Sequence, residues 1–118
     1  MSNKQTIENK AFEVTKDYID NLITLINEKR TNEINSTLLK LHPSDAAEAL
    51  SNLPEKSRID LLSLKTFDFK ADILVELNNT LQKDILNNLP TNKVVKIVNE
   101  LESDNALQII SNLSLVHI

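Results

Sequence analysis

Three observations predict an all-α fold, a superhelical stack of short helices in repeats of about twelve residues preceded by one longer amphipathic helix. First, leucine recurs at Leu41, Leu53, Leu77, Leu89, Leu101 and Leu113, and the rhythm misses only at Lys65, next to Leu64. Second, an apolar pair stands eight and nine residues after each register point: Ala49-Leu50, Leu61-Leu62, Ile73-Leu74, Ile85-Leu86, Ile97-Val98 and Ile109-Ile110. Such self-similarity at a fixed period marks a repeat architecture. Third, one straight helix would rotate this stripe by about 120° in each repeat and smear it around its surface. The helix must therefore break once per repeat. Pro43, Pro54, Thr66, Asn78-Asn79, Pro90 and Glu102-Ser103-Asp104 each follow a register position closely, and each suits a helix start.

Before the repeats, Ile7, Ala11, Val14, Tyr18, Leu22 and Ile26 lie three or four residues apart. This spacing predicts one amphipathic helix from about Thr6 to Lys29, so residues 1–30 form an N-terminal helical unit and 31–118 the repeat domain. Its stripe suits packing on the repeats, with a homodimer contact as the alternative. Lys29 and Arg30 favour a helix C-terminus there, with Thr31 or Asn32 as the next cap. Ile34, Leu38, Leu39 and Leu41 then describe a short helix leading into the repeats. Each repeat buries its apolar pair and register leucine against neighbours, at about 1.5–3 kcal/mol per large side chain, which an isolated helix of that length cannot do.

Composition narrows the function. The chain has no glycine, which excludes the glycine-dependent phosphate loops, and no cysteine, which excludes disulfides and thiolate metal sites. The N-terminal stretch lacks the apolar core of a signal peptide, and no run is long enough to span a membrane, so direct membrane insertion is not expected. Residues 1–40 balance six Lys/Arg against six Asp/Glu, whereas 41–118 carry seven against eleven, which places the net charge of −4 on the repeats. That balance disfavours nucleic acid and suits a cation or a basic partner.

The segment 41–50, reading Leu-His-Pro-Ser-Asp-Ala-Ala-Glu-Ala-Leu, together with Leu53-Pro54-Glu55-Lys56, Ala71–Leu77 and Ile97–Leu101, resembles the cytosolic N-terminal domain of MgtE-type magnesium transporters. The resemblance covers about residues 31–114 and rests on the repeat length and the His-Pro opening. It implies a right-handed superhelix that precedes a pair of CBS domains and a membrane channel. It further implies that Mg²⁺ bound between acidic faces of the N-terminal and CBS domains holds the pore closed. The domain would then be a cytoplasmic Mg²⁺ sensor, with Mg²⁺ bound weakly at an interface and no transport activity of its own. On an ungapped alignment of the repeats, the family's interfacial acids fall on Asp72 and Asp104, while a third such position is Gln108 here. Mg²⁺ prefers oxygen ligands and keeps several waters, so two faces can share it without a tight cage.

The same residues have structural readings. Asp104 in a first helical turn is favoured by the exposed N–H groups, and Asp72, read as mid-helix, suits a solvated face. His42 before Pro43 suggests a cap, with Asp45 reaching back to it and Glu48 on the outer face. No triad-like arrangement surrounds His42 or His117, so an enzyme is not expected. The alternative function is a protein-binding helical repeat, either a free-standing adaptor or a relative of the flagellar motor-switch protein FliG. Against the latter, Leu41 and Ser44 replace the Glu and Gln that flank His-Pro there. The apolar end at Leu113, Leu115, Val116 and Ile118 further suggests a fragment truncated within a repeat, helical but of marginal stability.

Overall fold

The computed structural model describes residues 12–117, with side chains placed for 12–112. All regular structure in that range is helical: α1 (Lys16–Asn27), α2 (Thr31–Leu38), α3 (Pro43–Asn52), α4 (Glu55–Leu62), α5 (Ala71–Val75), α6 (Asn79–Asn88), α7 (Thr91–Glu100) and α8 (Ser103–His117). The starts at 43, 55, 79, 91 and 103 keep the twelve-residue register. The missing start, near 67, falls in the one repeat whose register leucine is replaced by Lys65.

The starts have local causes. Pro43 is the first residue of α3, where its absent N–H costs nothing, and His42 Nδ1 accepts the Ser44 N–H at 3.2 Å. Pro54 and Pro90 occupy the N-cap positions of α4 and α7, with φ of −58° and −62°. Asn78 caps α6 by accepting the Leu81 N–H at 2.9 Å. Thr66, by contrast, starts no helix. Residues 65–70 run as an irregular segment that alternates buried Phe67 and Phe69 with exposed Thr66, Asp68 and Lys70. Two aromatic anchors take over the work of a buried helix face, with Phe67 1% exposed.

Helices two apart in the repeat region pack on one another. α3 packs on α5 and α5 on α7, while α4 packs on α6 and α6 on α8. α1 packs on α2 and α4, and α7 also touches α8. The physical repeat is therefore a pair of helices, 24 residues or two sequence repeats, which builds two columns into a body of 54 × 34 × 21 Å. One apolar core runs through it from Ile19 to Ile109. The apolar pairs recur through that core, and Ala49-Leu50, Leu61-Leu62, Ile73-Leu74 and Ile85-Leu86 are fully buried. Toward the C-terminus burial thins, with Val98 half-buried and Ile110 exposed.

At the N-terminal end the structure corrects two expectations. The helix that carries Tyr18, Leu22 and Ile26 begins at Lys16, and residues 12–15 are not helical, so no single unbroken helix runs from about Thr6 to Lys29. Thr15 in an extended conformation accepts the Tyr18 N–H at 3.1 Å, and Phe12 folds back edge-on against Tyr18 at 4.7 Å, which requires the chain to turn before the helix. Ile7 and Ala11 of the predicted stripe lie outside the described residues, as do the side chains of Leu113, Leu115, Val116 and Ile118. The rest of the stripe, Leu22 and Ile26, is buried in the common core against α2 and α4. Tyr18 adds a polar fastening, its hydroxyl donating to the Thr37 carbonyl at 2.9 Å.

The second correction concerns the α1–α2 turn. Arg30, not Thr31 or Asn32, is the N-cap of α2, and it makes no side-chain capping bond. The turn is instead closed from the α1 side. Lys29 adopts a left-handed φ of 57°, Lys29 N–H bonds the Ile26 carbonyl and Arg30 N–H the Leu25 carbonyl, each at 3.0 Å. This is a Schellman closure without its usual glycine, in a chain that has none.

Candidate functional site

The two acids predicted to meet a metal are both exposed, each as the second residue of a helix. Asp104 lies in the first turn of α8, as expected. Asp72 does not lie mid-helix, because α5 is only five residues long and Asp72 is in its first turn. The shortening follows from the irregular 65–70 segment, which uses the residues that would have formed the preceding turns. Among the described residues neither carboxylate has an ion-pair or hydrogen-bond partner, and both are presented to solvent as hard oxygen donors.

The structure does not gather these acids into a cage. Asp72 belongs to the α3–α5–α7 column and Asp104 to the α4–α6–α8 column. No group of three or more His, Cys, Asp or Glu among the described residues is placed to hold a metal ion. One turn beyond Asp104, Gln108 donates to Asn79 Oδ1 at 3.2 Å and so ties α8 to the start of α6. His42 is committed to its cap, with Nδ1 2.9 Å from Ser44 Oγ. Asp45 occupies the third helical position of α3, where its backbone N–H donates to the His42 carbonyl at 2.9 Å but its carboxylate makes no hydrogen bond to His42, and Glu48 is exposed on the outer face.

Two features were missed by sequence reasoning. The first is a pair of polar residues placed alike, 24 residues apart. Arg58 Nη1 donates to the carbonyls of Leu50 and Leu53 at 3.5 and 2.7 Å, and Gln82 Nε2 donates to those of Leu74 and Leu77 at 3.0 and 3.1 Å. Each side chain thus closes the C-terminal end of the preceding helix, satisfying carbonyls that the helix leaves orphaned. Arg58 Nη2 also lies 3.7 Å from Asp84 on α6, and Gln82 Oε1 accepts from Asn112 of α8 at 2.6 Å. The signal was present: both residues stand five after a register leucine, where Ala46, Val94 and Ala106 are apolar.

The second is a cluster of lysines on the irregular segment. Lys93 of α7 donates to the carbonyls of Lys65 and Phe67 at 3.4 and 3.2 Å. Asp68 accepts from Lys70 at 3.1 Å and from Lys96 at 3.3 Å. The Lys70 bond, with Lys96 behind it, holds the Asp68 carboxyl below its ordinary value of 3.8 against the opposing effect of partial burial. The clue here was Lys65 itself, the one break in the leucine rhythm.

A comparison with known protein families gives a match. The family described as the MgtE intracellular N domain matches residues 41–117. That is well over half of the chain. The chain belongs to the MgtE intracellular N domain family. It is therefore the intracellular domain of an MgtE-type magnesium transporter, a regulatory family rather than a catalytic one, and it associates with the rest of such a transporter. No curated protein and no solved structure gives a significant match. Among the described residues no helix is long and apolar enough to cross a membrane. The matched span begins at Leu41, the first register leucine, and takes in every repeat.

Proposed function

We propose that this MgtE N domain is a cytosolic Mg²⁺ sensor that gates its transporter by docking onto the CBS domain pair, carrying neither transport nor catalytic activity itself. The observation that carries the reading is the exposure of Asp72 and Asp104 without a partner among the described residues, on a chain matched to this family over 41–117. Two isolated carboxylates fit one half of a shared site. Mg²⁺ needs few protein ligands because it keeps much of its water, so one acid from each face, with waters between, is a sufficient coordination. Without the ion, apposed acidic faces repel. With it, the repulsion is screened and docking follows, with an affinity that depends on the free Mg²⁺ concentration.

Gln108 shapes the expected response. Its amide is spent on Asn79, so it tightens α8 against α6 rather than adding charge to the docking face. Mg²⁺-dependent docking here relies on Asp72 and Asp104. The test is binding of the recombinant chain to the CBS pair of an MgtE-type transporter, titrated with Mg²⁺. Asp72→Asn and Asp104→Asn each weaken Mg²⁺-dependent docking by about tenfold, the loss of one charge-assisted contact. Unchanged docking in the double variant would remove both residues from the assignment.

A further inference from the structure

We propose that the cleft between the 65–70 segment and α7 binds a multivalent phosphate-type oxyanion, such as a diphosphate or triphosphate group. The inference is independent of the Mg²⁺ reading. Of the seven Lys and Arg between 41 and 118, four gather here: Lys65, Lys70, Lys93 and Lys96. Asp68 is the only acid among them, so four ammonium groups against one carboxylate leave three positive charges in excess. That excess sits on an otherwise acidic chain with a net charge of −4.

The cluster surrounds a hollow rather than a flat face. A cleft of about 260 Å³ is lined by Lys65, Thr66, Asp68, Asn92, Lys93 and Lys96, over a floor of Phe67, Phe69 and Ile97. All three floor residues are buried, so one wall of the cleft has a low dielectric, which strengthens charge interactions at its surface. The lysines are also held in place. Two backbone carbonyls fix the Lys93 ammonium and Asp68 fixes that of Lys96, yet carbonyls do not neutralise charge and one carboxylate cannot neutralise two lysines. Lys65 has no side-chain partner among the described residues. Thr66 and Asn92 add neutral donors to the lining. A single carboxylate would bring one charge to a place that already holds one. A multivalent phosphate matches the excess, and lysine ammonium groups are suited to it as mobile point charges.

The experiment is a titration of the ¹⁵N-labelled chain with inorganic tripolyphosphate at low ionic strength, followed by amide shifts and by calorimetry. Binding is expected to shift residues 65–69 and 92–97, and to weaken with added salt. Lys65→Gln with Lys96→Gln lowers the affinity about tenfold, whereas Lys56→Gln with Lys83→Gln, of the same charge change, leaves it unaltered. The shift map on the unmodified chain stands whether or not a variant folds. The proposal is overturned by an absence of binding at millimolar tripolyphosphate, by shifts spread over the surface, or by equal losses in the two double variants. It is likewise overturned if an oligoglutamate of the same charge binds more tightly, because the occupant would then be an acidic protein segment.

Discussion

At the scale of single residues, the buried polar contacts decide more than the exposed ion pairs. Gln82 is 1% exposed, and every polar group of its amide is used: two donors on the Leu74 and Leu77 carbonyls and the oxygen on Asn112. Gln82→Leu keeps the volume and strands all three partners in the core. The expected loss is about 2–4 kcal/mol of unfolding free energy in urea, because unpaired buried groups cost more than a hydrogen bond gains. A loss below about 1 kcal/mol would mean that water replaces the amide. Asp68 gives a second prediction. Its carboxyl is lowered by Lys70 and Lys96, so its contribution is fully present above the unfolded value of 3.8 and is lost as pH falls through the lower folded value. Asp68→Asn therefore flattens the dependence of melting temperature on pH at the acid end and leaves the slope near neutrality unchanged. The pair is half-exposed, so the effect on stability is small, and an unchanged acid limb would dissociate Asp68 from these lysines.

At the scale of elements, turns made without glycine are the distinctive constraint. Lys29 holds a left-handed conformation that costs a residue with a Cβ about 1–2 kcal/mol. Lys29→Gly is expected to stabilise the chain by about 0.5–1 kcal/mol after the entropy gained by the unfolded state, whereas Lys29→Ala gives no gain. Chemical denaturation of the two variants distinguishes relief of backbone strain from loss of the lysine charge. Helix positions were legible because proline and asparagine punctuate the repeat with a local mechanism, at Pro43, Pro54, Asn78 and Pro90. What the sequence concealed was non-local. Thr66 carries the composition of a helix start, yet Phe67 and Phe69 are buried as alternate residues of an irregular segment. The start of α1 was misplaced because a three-four spacing continues through Val14, while the Phe12–Tyr18 contact that turns the chain is visible only in three dimensions.

At the scale of the molecule, the twelve-residue rhythm and the 24-residue packing repeat are two views of one arrangement. Neighbouring helices alternate between columns, so from α5 onward each helix packs against the helix two before it. That alternation also separates Asp72 from Asp104 onto different columns, which sequence periodicity alone does not show. The fold class was legible because repetition multiplies a weak local signal. The site was less so, since a carboxylate in a first helical turn has the same local pattern whether it serves the helix or a metal. Docking of this stack to its partner through shared Mg²⁺ is the function proposed for it. The most direct measurement is calorimetric affinity of the chain for a CBS pair in excess Mg²⁺ and in its absence, with ionic strength held constant by K⁺. The expected result is association that requires Mg²⁺ and that K⁺ does not support. Equal affinity in the two conditions, or binding that tracks ionic strength alone, would contradict it.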